Sequence, residues 1–400
     1  MQTHAVAIAT GLAARGHDVL MLTYRHDQER DEAREFDRGR PYRTLRELSR
    51  LSIWASIGTA ADHIDRYRPD AVVASTTFYG AIGRVRAVPV ICRSVGNDVM
   101  RCWVPYPFEF GSAVVGAAAV ERRALALYRR FRAPGWVEDV LLARRRQFVQ
   151  DAARQATLVL ANSNYTRDRL LEAGVQPDRV QVVVGGVDAA RFADPDRRIV
   201  ADPGGQGPRL LTVCRLVVKK GIDVLLRATA LVSVSAPGAT LTIVGDGPER
   251  GECERLAASL GIATRVRFVG RVPHPAMPGY YHDADIFVLA SRIHVRKSGW
   301  ADVETMGRVI CEANAAGVPV IASRTGGVPA LIRSDETGIL VEPDDPLALA
   351  AAIQRLWASP DRRAAMAAAG LVRARREFDW PAVLDRYEGA LAAVTRARRG

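Results

Sequence analysis

The amino-acid sequence predicts an α/β protein of two doubly wound domains, each built on a parallel sheet. Short β-branched runs alternate with longer helical patterns along the whole chain. The runs are apolar almost throughout, which is typical of parallel strands that helices cover on both faces. A stretch rich in proline, glycine and charge, residues 194–208, separates two halves of similar length. We therefore predict domains at 1–197 and 208–379, followed by a helix at 380–400 that crosses back to the first domain.

The predicted elements begin with a helix at Thr3–Arg15. Eleven strands are predicted after it, at Asp18–Thr23, Ala71–Ala74, Val88–Cys92, Thr157–Ala161, Val180–Val184, Arg209–Val213, Thr240–Val244, Val266–Val269, Ile286–Leu289, Pro319–Ala322 and Gly338–Val341. A doubly wound domain normally opens with a strand and a glycine-bearing turn, whereas a helix comes first here. We therefore expect a first strand and its loop to be missing before Met1.

Composition narrows the class of protein. The chain has 400 residues, of which 48% are hydrophobic and 25% charged, and no uncharged apolar run reaches the roughly 18 residues that span a membrane. We expect no signal peptide, since His4 interrupts the first residues and no basic segment precedes them. The five cysteines show no Cys-x-x-Cys spacing, which favours buried thiols in a reducing cytoplasm over a metal site.

The net charge of +12 predicts an anionic partner. A nucleotide and an anionic membrane surface are the candidates, while nucleic acid is the weakest because no zinc-finger or RRM pattern is present. Part of the excess charge lies in a partly aromatic segment between Trp103 and Arg146, which includes Arg122, Arg123, Arg129, Arg130, Phe131 and Trp136. The segment is consistent with peripheral contact with the inner face of the cytoplasmic membrane or with a solvated face, and both interpretations stay open.

Two carboxylates, Glu304 and Glu312, stand eight positions apart around Gly307. A helical pattern begins between them and the predicted strand Pro319–Ala322 follows. In a βαβ unit this arrangement places a helix N-terminus at the carboxyl edge of the sheet, where α/β sheets bind ligands. Free N–H groups there suit phosphate or sugar oxygens, and the carboxylates can accept hydrogen bonds from hydroxyls. The pattern predicts a polyhydroxylated, phosphate-bearing ligand.

Several further segments fall in a fixed order around this pair. The second half carries Arg215–Gly221, Gly245–Gly247, Phe268–Val272 and Thr325–Pro329, and the first half carries Leu12–Val19, Ala161–Thr166 and Gly185–Phe192. Together they resemble the GT-B-fold retaining glycosyltransferases of family 4, also called glycosyl transferases group 1. The resemblance implies two Rossmann-like domains facing a central cleft. It also implies sugar transfer with retention from a nucleotide diphosphate sugar to a lipid-linked or cell-envelope glycan acceptor, with no metal or other cofactor.

The same resemblance implies roles for individual residues. Arg215 and Lys220 would hold the diphosphate, while Glu304 would contact the donor sugar and Glu312 the ribose. Lys219 is the neighbouring alternative to Lys220, and we expect it to face solvent. Further donor contacts would come from Gly245, Val272, Met306, Gly307, Arg308 and Val309, and acceptor contacts from Asn97 and Asp98. Each has a plainer alternative, such as a surface cation pair, a helix-start carboxylate or an Asx turn at Asp98.

Three departures from the family pattern keep other functions open. The Gly-Gly loop of the family would precede Met1, Val95 stands where many members have histidine, and Ala330 stands where many have glutamate. A catalytically impaired nucleotide-sugar binder and an epimerase on the same fold are therefore alternatives. Asp283-Ala-Asp285 resembles the metal motif of another transferase fold, but it precedes a predicted strand, and the GT-B resemblance implies that it ends a helix.

Overall fold

The computed structural model describes residues 2–25, 39–101, 106–130, 135–194, 207–295 and 301–399. The chain divides into two compact units, of which one comprises Met1–Val183 with Leu384–Gly400 and the other Val184–Val383. Both contain parallel strands and helices, which confirms the predicted α/β class. Residues 195–206 of the predicted boundary lie outside the described part.

The first unit contains parallel strands in two groups. The strands are β1 (Leu20–Tyr24), β2 (Arg43–Leu48), β3 (Val72–Ala74), β4 (Val90–Ser94), β5 (Leu158–Ala161) and β6 (Val180–Val182). Strands β1 and β2 pair with each other, and β3 to β6 form a parallel sheet in sequence order. The helices are Gln2–Ala14, Ile53–Tyr67, Ile82–Val85, Asn97–Arg101, Ser112–Val115, Ala118–Arg130, Gly135–Gln155 and Asn164–Glu172, with 3₁₀ turns at Thr77–Ala81 and Pro177–Arg179.

The second unit is built on a six-stranded parallel sheet. Its strands are β7 (Arg209–Val213), β8 (Thr240–Val244), β9 (Val266–Gly270), β10 (Ile286–Leu289), β13 (Val320–Ser323) and β14 (Ile339–Val341), and a short antiparallel pair joins β11 (His294–Val295) to β12 (Ala301–Asp302). The order is β14-β13-β10-β7-β8-β9. The helices are Ala189–Phe192, Ile222–Ser235, Arg250–Ser259, Met277–His282, Arg308–Ala315, Pro346–Trp357 and Pro360–Arg373, with 3₁₀ turns at Val218–Lys220, Ala263–Arg265, His274–Ala276 and Val328–Leu331 and a π-helical turn at Ala374–Phe378. The last helix of the chain is Trp380–Arg399.

The core of the second unit shows why its strands read as continuous apolar runs. Along β10, Ile286 and Val288 belong to one buried cluster, while Phe287 and Leu289 belong to another. Successive side chains of a strand point to opposite faces, so helices cover this sheet on both sides. All four side chains are at most 1% exposed.

Local sequence sets where several helices begin. The side chains of Ser52, Ser163 and Asp345 each accept a hydrogen bond from the backbone N–H three residues on, which satisfies one of the free donors of a helix start. At the other end of the chain, the last helix packs on the first one. There the guanidinium of Arg15 donates a hydrogen bond of 2.8 Å to the carboxylate of Asp385, and the Nε2 of His4 lies 3.2 Å from the hydroxyl of Tyr387.

All eleven predicted strands are present, with shifts of one or two residues at their ends. Strand β2 was missed because Arg43, Arg46 and Glu47 break its apolar pattern, and this is possible because most of its residues are only partly buried. The β11–β12 pair was missed because two-residue strands have no periodicity to detect.

The cysteines agree with the prediction where they are described. Cys92, Cys214, Cys253 and Cys311 are buried free thiols, and Cys102 lies outside the described residues. Burial raises the pKa of Cys214 to about 11 and that of Cys253 to about 12, so both stay protonated near neutral pH. Within the described residues, no helix combines the length and the apolar character needed to cross a bilayer.

Gly80 tests how tightly the first unit is packed. A Cβ atom at Gly80 would lie 2.0 Å from the carbonyl oxygen of Ala152, which belongs to the helix that crosses it. We expect Gly80→Ala to destabilise the protein by about 1–3 kcal/mol, because a backbone atom has little freedom to move aside. The measurement is urea unfolding.

Gly58 provides the matched control. It lies in the exposed part of a helix with nothing within 4 Å of its added Cβ. We expect Gly58→Ala to stabilise the protein by about 0.4–1 kcal/mol, since alanine restricts the unfolded chain. Equal effects of the two substitutions would contradict the packing at Gly80.

Candidate functional site

The sheet order of the second unit creates a natural ligand site. All six strands are parallel, but the order in which they are added to the sheet reverses between β7 and β10. Strands β8 and β9 extend the sheet on one side of β7, while β10, β13 and β14 extend it on the other. Open α/β sheets bind ligands outside the carboxyl ends of their strands at such a switch point. Arg215 and Lys220 follow β7, Gly245 follows β8 and Val272 follows β9, while Glu304 lies between β12 and the helix Arg308–Ala315.

A buried ion pair joins two of these loops. The Nζ of Lys220, which ends the turn after β7, binds the Oε2 of Glu304 in the loop that follows β12. The two side chains are only 13% and 14% exposed. The attraction between the two charges offsets the free-energy cost of removing each of them from water. Either residue alone would be a buried charge without a partner.

The pair sets the protonation of both groups. Burial by itself lowers the pKa of Lys220, but the charge and hydrogen bond of Glu304 outweigh it, so the pKa is raised. Burial likewise raises the pKa of Glu304, and the attraction of Lys220 outweighs it, with help from the backbone N–H of Gly307, so the pKa is lowered. Both groups are therefore ionised near neutral pH.

The backbone around Glu304 is held from two sides. The N–H of Gly327 donates 2.8 Å to the Glu304 carbonyl oxygen, and the Nζ of Lys219 donates 2.9 Å to the carbonyl oxygen of Val303. Gly326 has φ +52°, and a Cβ there would lie 2.2 Å from the Glu304 carbonyl. Glycine is required at 326 because the two loops touch through their backbones.

Lys219 corrects one interpretation from the sequence. It was expected to face solvent, but its side chain reaches the Val303 carbonyl and is partly buried. Sequence reasoning missed this role because no pattern in the chain links residues 219 and 303. Lys219 and Lys220 thus fasten the same loop by its backbone and by its side chain.

Arg215 and Gly245 lie at the ends of neighbouring strands. Gly245 has φ +129°, and a Cβ there would lie 1.9 Å from the carbonyl oxygen of Cys214. The next loop residues continue this contact, since Leu216 donates 3.1 Å to the carbonyl of Asp246. Arg215 is exposed, and its described surroundings contain no ion-pair partner. Arg215 therefore lies in the loop after β7 with its side chain exposed.

Glu312 lies further along the helix Arg308–Ala315 and is 5% exposed. Its Oε2 accepts a hydrogen bond of 2.9 Å from the hydroxyl of Tyr281. Its Oε1 lies 3.5 Å from the Nε of Arg308 and 3.9 Å from the Nε2 of His274. Burial and the Glu312 charge raise the pKa of Tyr281 well above its ordinary value, so this phenol stays a hydrogen-bond donor.

The segment between the two glutamates is positioned mostly through its backbone. Gly307 caps the helix with φ +88°, and a Cβ there would lie 3.2 Å from Leu289. Met306 is 6% exposed and packs into the core, so its side chain is not presented to a ligand. Val309 and Val272 are partly buried against the same core. Every donor-side residue predicted from the sequence therefore lies in the second unit.

Asn97 and Asp98 belong to the first unit, at the start of a five-residue helix after β4. Asn97 is exposed, whereas Asp98 is 5% exposed. The Oδ2 of Asp98 accepts from the N–H and the hydroxyl of Thr77, each at 3.0 Å, and Oδ1 accepts from the Ser94 hydroxyl at 2.9 Å and the Val95 N–H at 3.1 Å. Through these hydrogen bonds Asp98 stabilises the conformation of the loop after β4. Contact of Asn97 and Asp98 with an acceptor stays a prediction.

The Asp283-Ala-Asp285 segment has the structural role expected of it. The helix Met277–His282 ends at Asp283, and Asp285 binds the guanidinium of Arg209 at 2.8 and 3.0 Å. Among the described residues, no three His, Cys, Asp or Glu side chains are grouped closely enough to hold a metal ion.

Comparison with known proteins identifies related chains for both units. Residues 1–191 match the model of Glycosyltransferase Family 4, and residues 196–372 match that of Glycosyl transferases group 1. A GDP-mannose-dependent alpha-(1-6)-phosphatidylinositol monomannoside mannosyltransferase of Mycolicibacterium smegmatis is 38% identical over 249 residues, which cover 61% of this chain and 63% of the relative. The enzyme of the same description from Mycobacterium tuberculosis is 32% identical over 309 residues, which cover 76% of this chain and 78% of the relative.

Solved structures share the fold. The Anabaena protein HepE, crystallised with UDP, aligns with a TM-score of 0.68 over 97% of this chain and 95% of its own, at 20% identity. This likeness confirms the expected GT-B fold.

The Lys220–Glu304 pair gives a stability prediction. We expect Lys220→Met and Glu304→Gln each to lower the free energy of unfolding by about 3–5 kcal/mol, because each leaves a buried charge without its partner. The double variant is expected to lose less than the sum of the two. Urea unfolding at pH 7 measures all three. Glu252→Gln is the control, since its bridge to Arg255 is exposed and is expected to contribute under about 0.5 kcal/mol.

The pH dependence of the same pair has a defined sign. Because folding lowers the pKa of Glu304 below 4.5, its contribution is present above about pH 4.5 and is lost as the pH falls through the folded value. Because folding raises the pKa of Lys220 above 10.5, its contribution is complete below about pH 10.5 and is lost as the pH rises further. The gap in stability between the parent and the double variant should therefore shrink at both extremes, and a gap independent of pH would contradict the ionised pair.

Proposed function

Because this chain belongs to the family 4, or group 1, glycosyltransferases, we propose that it transfers a sugar from a nucleotide diphosphate sugar to a hydroxyl acceptor with retention at the anomeric carbon. The observation that carries the proposal is the pairing of Lys220 with Glu304 at the switch point of the second unit, with Glu312 on the adjoining helix. In this proposal Lys220 supplies a cation for the diphosphate, and the two glutamates supply carboxylates for hydroxyls.

The leaving diphosphate gains negative charge as the bond to the sugar breaks. Preorganised cations directed at such a group are the largest catalytic term in many enzymes. We assign this role to Arg215 and Lys220, without a metal ion. An ammonium has three N–H donors, so Lys220 can keep Glu304 and still donate to a phosphate oxygen.

The glutamates would fix the rest of the donor. Glu312 is held by Tyr281 with one oxygen, which leaves lone pairs on both oxygens to accept from the ribose hydroxyls. Glu304 would accept from hydroxyls of the sugar near the reacting carbon. Backbone N–H groups at Arg308 and Val309, in the first turn of the helix, have no partner within that turn and suit sugar or phosphate oxygens.

The relatives favour one donor and one class of acceptor. Both mycobacterial enzymes are described as dependent on GDP-mannose and acting on a phosphatidylinositol mannoside. We therefore place GDP-mannose first among the donors and a lipid-linked glycan at the inner face of the cytoplasmic membrane first among the acceptors. The two alternatives, an impaired nucleotide-sugar binder and an epimerase, gain no support from these relatives.

Donor choice is tested by thermal shift with GDP-mannose, UDP-glucose and ADP-glucose. We expect GDP-mannose to raise the melting temperature most, and Arg215→Ala and Glu312→Ala to remove that rise. Arg227→Ala is the matched control, because Arg227 is exposed on the helix Ile222–Ser235 of the same unit. Product formation and the anomeric configuration of the product are then read by NMR. Binding without any product would support the impaired binder, and an inverted product would overturn retention.

Tyr281 tests how Glu312 is positioned. We expect Tyr281→Phe to weaken binding of the favoured nucleotide by about tenfold, because loss of one hydrogen bond to a charged group costs roughly 1.5–3 kcal/mol. Tyr280→Phe is the neighbouring control, since the ring of Tyr280 contacts Arg267 and not Glu312. Isothermal titration measures both affinities, and equal affinities would show that Tyr281 does not position the carboxylate.

A further inference from the structure

The first unit displays a concentration of apolar side chains that its core does not use. Five of the fifteen large hydrophobic side chains that are exposed in the described chain lie between residues 108 and 127. Phe110 is 90% exposed, Val114 67% and Leu127 59%, with Val120 and Phe108 beside them in sequence. Single exposed apolar residues are ordinary, but a concentration of them marks an interaction surface.

The backbone that carries Phe110 is fixed to the unit. Tyr106 donates 2.9 Å from its N–H to the carbonyl of Leu51 and 2.8 Å from its hydroxyl to the carbonyl of Phe110. The indole N–H of Trp54 donates 3.1 Å to the carbonyl of Pro107. The backbone of the loop is therefore held by hydrogen bonds to the rest of the unit, while the side chain of Phe110 is exposed to solvent.

The far end of this loop is anchored as well. Arg25 donates 2.7 Å to the carbonyl of Gly116, and a Cβ at Gly116 would lie 2.2 Å from the Cβ of Ala55. Glycine at 116 lets the loop lie directly on the helix Ile53–Tyr67. Val114, two residues earlier, stays outside this contact and is exposed.

The following helix, Ala118–Arg130, continues the exposed surface. Its orientation is set by Glu121, which is 5% exposed and accepts 2.5 Å from the backbone N–H of Arg50. Val120, Arg123 and Leu127 are spaced by three and four residues and so share one exposed stripe. The one carboxylate of this helix turns inward, and arginine and apolar side chains remain outside.

Charge decides which partner fits the surface. Arg122 and Arg123 are exposed, and Glu109 is the only exposed carboxylate between residues 106 and 127. The whole chain carries a net charge of +12. Apolar side chains beside arginines match the boundary between the headgroups and acyl chains of an anionic bilayer.

We propose that the surface formed by Phe108, Phe110, Val114, Val120, Leu127, Arg122 and Arg123 docks the protein on an anionic lipid bilayer. Phe110 and Val114 enter the interfacial layer, and the arginines bind lipid phosphates. Trp103 and Phe131, which the sequence placed in the same basic segment, lie outside the described residues. The proposed partner, a lipid bilayer, agrees with the lipid-linked acceptor of the proposed function. Binding to the bilayer requires neither the nucleotide nor the acceptor.

The test is co-sedimentation of the full chain with sucrose-loaded vesicles of phosphatidylcholine, with and without phosphatidylglycerol. We expect the parent to bind the phosphatidylglycerol vesicles. Phe110→Ser with Val114→Ser should weaken that binding by at least about tenfold, since it removes two inserted apolar side chains. Arg122→Glu with Arg123→Glu should remove the preference for anionic vesicles.

The matched control is Val234→Ser with Leu347→Ser. It also replaces two exposed apolar side chains, which are 82% and 69% exposed, but these lie in the other unit. This variant should bind vesicles like the parent. Melting temperatures show that each variant is folded. Vesicle binding by Arg215→Ala, which removes an exposed side chain assigned to the diphosphate, shows whether docking is independent of sugar transfer. Unchanged vesicle binding by the Phe110 and Val114 variant would overturn the proposal. A parent protein that does not bind phosphatidylglycerol vesicles would also overturn it. If that parent forms an oligomer that this variant does not form, the surface instead binds a second copy of the chain.

Discussion

The contact between Lys220 and Glu304 is the constraint on which the described site depends. A buried charge without a partner is strongly unfavourable, so each residue requires the other to be in place. Because one follows β7 and the other follows β12, the pair joins a loop of the main sheet to the loop after the short antiparallel pair. Lys219 adds a backbone contact to Val303, which fixes the same loop one residue earlier.

Glycines then allow the neighbouring loops to meet this pair. Gly326 touches the backbone of Glu304, and Gly245 touches that of Cys214. At both positions φ is positive and a side chain would collide with a carbonyl oxygen, so the turns are restricted to glycine by conformation and by space. In this chain, the glycines of these two segments therefore serve the packing of the loops. Arg215 directly follows Cys214, so the contact of Gly245 with Cys214 helps to position it.

The first unit uses its polar residues differently. Asp98 accepts its described hydrogen bonds from Thr77, Ser94 and Val95. These bonds fix the conformation of the loop after β4. The same unit exposes Phe110 on a loop whose backbone is anchored at both ends. A rigid loop that presents an apolar side chain loses little conformational entropy on meeting a surface, which suits the proposed docking on lipid.

The sequence by itself determined the α/β class, the eleven apolar strands and the positions of Glu304 and Glu312 near a helix start. These follow from periodicity and turn residues, which act over a few neighbouring positions. Only the tertiary structure decided that Lys220 meets Glu304 across 84 residues, that Lys219 binds backbone instead of water, and that Tyr281 holds Glu312. Such contacts depend on strand order and on the burial of charge, and no local pattern encodes either.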